Sequence, residues 1–303
     1  TQAPAVTIGG TLGTVTGSGT TWTAVRALTA DDTEGAIALS IDYLDLAGNA
    51  GAQATATTDG SVVTFDKTPP VFTAVTVVSN NTYDSALAMV GDTVTVTMAA
   101  SESTQAPSVT IGGTIATVTG SGTAWTAVRA LTADDTEGAI ALSIDYLDLA
   151  GNAGAQTIAA TDGSVITFDK TVPTFTTLSM ASNNANTSYA KAGDTVTVTM
   201  VASEITQSPD VTIGGTIVTV SGEGTTWTAV RVLTADDTEG AVTLSIDYLD
   251  LAGNAGAQAT AATDGSVVTF DKTAPVITAV TLVSDNTYDP SLSMVGDTIT
   301  VTL

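Results

Sequence analysis

The sequence contains no cysteine and no histidine. These two absences remove disulfides, thiol nucleophiles, imidazole bases and the usual zinc ligands, so any metal bound must be one that prefers oxygen. Basic residues are scarce too. Seven Lys and Arg stand against 31 Asp and Glu, a formal charge of −24 that repels nucleic acid and anionic membranes and makes divalent cations the natural counterpart. No stretch approaches about 18 uninterrupted apolar residues, and the N-terminal residues lack a basic region followed by an apolar one, so neither a membrane span nor a signal peptide is expected. Aromatics make up only 5% of the chain, but 43% hydrophobic content rich in Val and Ala, together with abundant Thr and Gly, can bury several modest β-cores.

What is present is repetition. Trp22, Trp125 and Trp227 each precede the run LTADDTEGA and then SIDYLDLAGNAGAQ, so one unit of about 102 residues is read three times. That period is too long for a solenoid coil and matches an independent domain with its own core. In the middle copy Val94, Val96 and Met98 alternate with Thr93, Thr95 and Thr97, the signature of a half-buried strand. Ile140, Leu142, Ile144 and Tyr146 alternate in the same way, as do Ile37, Leu39, Ile41, Tyr43 and Val242, Leu244, Ile246, Tyr248. Between Pro69 and Lys170 the pattern predicts seven strands, at 71–78, 92–99, 107–111, 115–119, 124–131, 139–147 and 163–169. Seven short strands imply a sandwich. One segment resists: Trp125 and Arg129 share parity, so either a bulge intervenes or the Arg stem packs over the indole.

TFDKTxP at the unit boundary, AGDTVTVT in the second strand, ASE just after it and DLAGNAG late in the unit together resemble bacterial Ig-like domains. The likeness covers essentially the whole chain and is nearest to the calcium-dependent extender repeats of giant secreted RTX-type adhesins, including those of ice-adhering bacteria. It implies an all-β chain of tandem seven-stranded Ig-like β-sandwiches placed end to end as a rod, working as an extracellular stalk on a bacterial surface. Its domains would be 68–170 and 171–272, flanked by the C-terminal part of one domain at 1–67 and the first two strands of another at 273–303.

With Ig-like connectivity, loops sort to two poles. The starting pole of the domain after Asp66 collects Asp66, Glu102, Asp148 and Asn152, and the opposite pole collects Asp84, Asp134, Asp135, Glu137 and Asp169. Domains stacked end to end would bring one unit's ADDTEG loop towards the next unit's SE and DLAGN loops. Crowded carboxylates repel unless a hard cation bridges them, and Ca2+, with six to eight flexible oxygen ligands, fits best. The candidate ligands are therefore Asp66, Glu102, Asp148 and Asn152; then Asp169, Glu204, Asp250 and Asn254; and, from the remaining linker, DLAGN and ADDTEG elements, Asp271, Asp45, Asp134, Asp135 and Glu137. Neither an EF-hand loop nor a GGxGxDxUx repeat is present. The ADDTEG acids, Asp31, Asp32, Glu34 and their copies, read equally as a solvated turn. Asp42, Asp145 and Asp247 read as surface residues, Tyr43, Tyr146 and Tyr248 as core residues with a hydrogen-bonded hydroxyl, and Lys67, Lys170 and Lys272 as partial counter-charges. The Gly-Gly pairs at 112–113 and 214–215 read as hairpin or bulge positions.

No enzyme is expected: adjacent turn acids such as Asp134 and Asp135 do not oppose each other across a substrate, and their repetition would make three identical active sites in a row. Ice binding by the Thr-x-Thr-x-Thr runs at 93–97, 195–199 and 298–302 is a weaker alternative, because one such strand in a twisted sheet gives no flat array. Glycan binding ranks with it. The register of 1–67 and 273–303 adds a further reading. Thr1 aligns with Thr104 and Leu303 with Met98, so the two fractions are complementary apart from Ala99–Ser103. Two domains separate them in the chain. Strands of one copy could complete the next and propagate a filament, or the sequence is a window on a longer array.

Overall fold

The computed structural model describes all 303 residues. The chain is all-β and divides into two compact units, Thr1–Thr171 and Val172–Leu303. In the first unit, residues after Pro69 form a two-layered sandwich. One layer is a four-stranded sheet in the order Thr117–Ser121, Ala124–Ala130, Thr93–Ala100, Phe72–Ser79. The other layer has two parts: Thr114–Ile115, Ser108–Ile111 and Leu142–Asp145 form one, and Gly138–Ala139, Thr167–Phe168 and Leu87–Ala88 form the other.

Alternation builds the core. Along Thr93–Ala100 the inward Val94, Val96 and Met98 are buried, while Thr93, Thr95 and Thr97 stand outward. They meet Val109, Ile111, Ile144 and Phe168 from the second layer in one apolar cluster, with Val75 and Ile166 filling the rest. Truncating Ile144 to Ala in so closed a site costs about 3 kcal/mol. Trp125 closes one end. Its indole N–H donates to Thr104 Oγ1 at 2.8 Å and to Gly122 O at 3.2 Å, so the ring is buried without stranding a donor. Tyr146 lies against Phe72, ring centroids 4.1 Å apart, and its hydroxyl accepts from Phe72 N at 3.3 Å. A Cβ on Gly154 would sit 2.3 Å from that tyrosine ring, which is why the position has no side chain.

Four of the seven expected strands lie within two residues of their predicted bounds, and the others differ for a physical reason. The 115–119 prediction divides at Ala116, because Thr114–Ile115 pairs with Ser108–Ile111 whereas Thr117–Ser121 pairs with Ala124–Ala130 in the other layer. The 139–147 prediction divides likewise: Gly138–Ala139 pairs with Thr167–Phe168, and Leu142–Asp145 with Ser108–Ile111. Strands that change partner must bend between them. The last strand shrinks to Thr167–Phe168 and has a parallel neighbour at Leu87–Ala88 that the period did not predict. Gly112 and Gly113, at φ 59° and 78°, make the two-residue turn before Thr114, a conformation that disfavours any side chain. No bulge interrupts the pairing of Ala124–Ala130 with Thr93–Ala100, so Trp125, Ala127 and Arg129 do share a face. Arg129 stands at the rim, where its guanidinium leaves the core.

The second unit repeats this plan. Phe175–Ser182, Thr195–Ala202, Thr226–Val232 and Val220–Glu223 form its four-stranded sheet, and Asp210–Ile213, Leu244–Asp247 and Thr269–Phe270 contribute to the facing layer. Leu178, Val196, Val198, Met200, Ile213, Ile246 and Phe270 fill its core. Residues 281–302 add a two-stranded sheet, Thr281–Ser284 with Ile299–Thr302. Residues 1–67 of the first unit keep the strands Ala5–Ile8, Thr14–Ser18, Thr21–Val25, Leu39–Asp42 and Thr64–Phe65.

Candidate metal centre

Asp148 is the best-defined member of the candidate site. It follows directly on Leu142–Asp145 and Leu147, where the chain turns back through Leu149, Ala150, Gly151 and Asn152. The turn wraps its own carboxylate: Oδ1 accepts from Gly151 N at 2.6 Å and Asn152 N at 2.8 Å, and Oδ2 accepts from Asn152 Nδ2 at 2.7 Å. The residue is 1% exposed. Burial alone would raise its pKa, but the donors from the Asn152 side chain and from the Asn152, Gly151 and Ala150 backbone outweigh it and hold Asp148 below the ordinary carboxylate value. Asp148 is thus a fixed anion.

Two further acids meet it. Asp66 lies in the DKT segment just after Thr64–Phe65, and Glu102 follows the strand Thr93–Ala100, whose end is pinned by Ser101 exchanging bonds with Val71. Ligand oxygens of Asp66, Glu102 and Asp148 all lie within 4.8 Å of one another. Asn152 braces the group by donating from the same amide nitrogen to Asp66 O at 3.2 Å. Glu102 is pushed above its ordinary value by burial first, then by the charges of Asp66, Asp148 and Glu34. No lysine or arginine stands within salt-bridge distance of the three. Three carboxylates gather in one place without a protein cation. This is a hard, all-oxygen donor set close enough to hold a metal ion.

The ADDTEG loop splits. Glu34 turns towards the joint, where its Oε1 accepts from Lys67 N at 2.8 Å and Thr68 Oγ1 at 2.7 Å and its charge reaches Glu102. Glu137 makes the same bonds to Lys170 N and Thr171 Oγ1. Asp135 does not enter a cluster of acids: Arg129 Nη2 donates to its Oδ1 at 2.5 Å, and Thr132 N and Oγ1 donate to its Oδ2. Arg129 Nη1 donates to Ile111 O at 2.9 Å, so the guanidinium ties a strand end to the loop rather than lying over the indole. Asp32 and Asp237 are paired in the same way with Arg26 and Arg231. The middle acid of each loop is therefore spent on an internal ion pair, and Asp134 stays exposed beside it. The lysines answer loop carbonyls more than acids, since Lys67 Nζ donates to Ala30 O at 2.7 Å and Asp32 O at 2.9 Å.

The other candidates fall as follows. Asp169, in the first unit, accepts from Thr171 N at 3.0 Å. In the second unit Asp250 repeats the bracket of Asp148, its Oδ1 accepting from Gly253 N and Asn254 N and its Oδ2 from Asn254 Nδ2, with Glu204 just beyond the strand Thr195–Ala202. Asp45 accepts from Asn49 N at 2.8 Å and Asn49 Nδ2 at 2.7 Å and is exposed. Asp271 accepts from Thr273 N at 2.9 Å. The sequence reading overlooked Thr104 and Gln105: Thr104 bridges to Asp148 and caps the indole, and Gln105 Nε2 donates to Asp148 O at 2.9 Å. Their signal was repetition, as Thr1-Gln2, Thr104-Gln105 and Thr206-Gln207 recur at the unit period.

No family model matches the chain, and no curated protein matches it. Among solved structures it matches the surface glycan-binding protein SGBP-B of the mixed-linkage glucan utilization locus of Bacteroides ovatus, in complex with a mixed-linkage heptasaccharide. The identity is 15% and the TM-score 0.20, with 93% of this chain and 61% of that one covered. At that score the likeness carries no argument about fold or ligand. No helix is long and apolar enough to cross a membrane.

Proposed function

We propose that the chain is an extender segment of a bacterial cell-surface adhesin or extracellular fibre, non-enzymatic, whose domain joints are stiffened by calcium. The observation that carries this reading is the meeting of Asp66, Glu102 and Asp148 around the segment that links residues 1–67 to the sandwich after Pro69. Asp66 belongs to the linker itself, whereas Glu102 and Asp148 belong to the following sandwich. An ion held by all three fixes the linker to the domain, and Glu34 brings the preceding loop to the same place. Calcium suits the set better than magnesium because carboxylates from three separate segments offer irregular geometry, which a cation tolerant of six to eight ligands accepts. The likeness of the TFDKTxP, ASE and DLAGNAG motifs to calcium-dependent extender repeats points the same way and supplies the extracellular setting.

Calorimetry after exhaustive chelation tests the reading. Restoring calcium at 100-fold over its dissociation constant stabilises the joint by about 2.7 kcal/mol, and small-angle scattering registers a longer, stiffer particle. A melting profile indifferent to calcium sinks the proposal.

A further inference from the structure

Each complete domain has one long outer strand, and side chains from the facing layer finish its free edge. In the first unit that strand is Phe72–Ser79, outermost in its four-stranded sheet. Its eight residues, FTAVTVVS, include no charge and no proline, although the chain as a whole carries a formal −24. High β-propensity with low charge and no proline marks a strand that recruits another, and lysine or proline on the edge is the usual deterrent. The opposite edge of the sheet is blunted by brevity, since Thr117–Ser121 has five residues. Phe72–Ser79 has neither defence.

The TDGS loop, Thr161 to Ser164, supplies another. Thr161 acts as a residue of a neighbouring strand would: its N–H donates to Val75 O at 2.8 Å, and its Oγ1, standing in for a carbonyl, accepts from Val75 N at 2.9 Å. Ser164 Oγ accepts from Val77 N at 3.2 Å while donating its own proton to Asp162 Oδ1 at 2.6 Å. The ends of the edge are closed as well, by Phe72 N on the Tyr146 hydroxyl and by Ser79 N on Ser85 O at 2.9 Å. The second unit repeats the device on its own outer strand, Phe175–Ser182. Leu178 N donates to Thr263 Oγ1 and Met180 N to Ser266 Oγ, each at 2.8 Å, and Thr263 N donates to Leu178 O at 2.8 Å.

We infer that Thr161 and Ser164, with Thr263 and Ser266 in the second unit, are guards against strand addition, and that the partner they exclude is the same edge of another copy or repeat. A hydroxyl satisfies the edge donor but presents no backbone of its own to a further strand, so the ladder ends there. Without the hydroxyls, two such edges pair antiparallel about Thr76: Val75 of one exchanges bonds with Val77 of the other, and Thr76 faces Thr76. Tandem copies sharpen the need, because near-identical edges on one chain meet at about millimolar effective concentration, and misassembly between neighbours is the characteristic failure of repeat proteins. The guard requires no ion, so its test is independent of calcium at Asp66.

The test uses the 303-residue chain in chelator, with Thr76→Cys as the reporter in a protein that has no other cysteine. With oxidised glutathione, the disulfide-linked dimer forms at least tenfold faster when Thr161→Val and Ser164→Ala are added than in the reporter chain alone. Thr161→Ser, which keeps the hydroxyl, leaves the rate at the reporter's level. Ser164→Ala alone spares both Thr161 bonds and gives a smaller rise. Thr119→Cys on the opposite edge serves as the control for unfolding, and its rate does not respond to the same pair of substitutions. Equal Thr76→Cys rates with and without the two hydroxyls, a Thr119→Cys rate that rises as much, or a Thr161→Ser chain as fast as Thr161→Val overturns the inference.

Discussion

The sandwich after Pro69 carries two carboxylate sites that differ in one respect. Around Asp135 the chain supplies its own cation: Arg129 projects from the end of its strand, and the side chains of the pair are 10% and 9% exposed. Around Asp148 it supplies none, although Asp66 and Glu102 crowd against it. The consequences for titration are opposite. Burial opposes the ionised form of Asp135, but Thr132 and Arg129 overcome it and hold the group below its ordinary value, whereas burial and neighbouring acids push Glu102 above its own. A partly desolvated anion needs compensation, and the two sites show it built into the chain in one case and left to the solvent in the other. The first site needs no dissolved ion to offset its charge. The second holds three carboxylates close enough for a metal ion and has no such partner in the chain.

The sharpest way to break the contrast is to delete the built-in cation. Arg129→Met keeps the stem and strands Asp135, so the domain loses about 3 kcal/mol in urea denaturation, with its calcium response unchanged. Asp148→Asn acts at the other site: it leaves the sandwich folded in chelator but removes this joint's share of the calcium-induced rise, about 2.7 kcal/mol at 100-fold excess over the dissociation constant. Calorimetry of both variants with and without calcium separates them, and a calcium response lost in Arg129→Met would erase the distinction.

Acid titration sharpens it further. Asp135, with its folded pKa depressed, contributes stability above its ordinary value of 3.8 and loses that contribution as pH falls through the folded value. Urea midpoints measured in chelator from pH 6 downward therefore decline below pH 4, and the Arg129→Met variant declines less. An identical acid limb in both proteins would remove Arg129 as the cause.

Sequence pattern made the outline of this fold legible and left its corners obscure. Val94, Val96 and Met98 announce a buried strand by alternation alone, and three acidic segments at one pole foretell the company of Asp66, Glu102 and Asp148. The breaks at Ala116 and at Ile140–Ala141 were not legible, because they record which sheet supplies a hydrogen-bonding partner, and period two is blind to partners. Asp135 looked like Asp134 and Glu137, three acids in one loop, for the same reason. The clue to its fate was the awkward parity of Trp125 and Arg129. A charged residue on the core face at a strand's last turn is aimed at something beyond the rim, and the acid six residues later is that target.

The smallest expected effect is the most discriminating, because its sign reverses with conditions. Glu102, with its folded pKa raised, contributes fully to stability only below its ordinary value of 4.5 and loses that contribution as pH rises through the folded value. At neutral pH without metal, ionised Glu102 faces Asp66 and Asp148 and opposes folding. Glu102→Gln removes that charge at nearly constant volume, so in chelator the variant melts slightly above the parent. With calcium the order inverts, since the amide offers one neutral oxygen where the carboxylate offered two charged ones, and the parent melts above the variant. At Asp135 the corresponding change to Asn has no such inversion: it weakens the bond to Arg129 and lowers the melting temperature with or without calcium. Paired melting curves of the two variants in chelator and in calcium give four signs. Three negative values and one positive, the positive belonging to Glu102→Gln in chelator, are expected. A Glu102→Gln variant that melts lower in both solutions would mean that the carboxylates at the joint already hold one another in place without a cation.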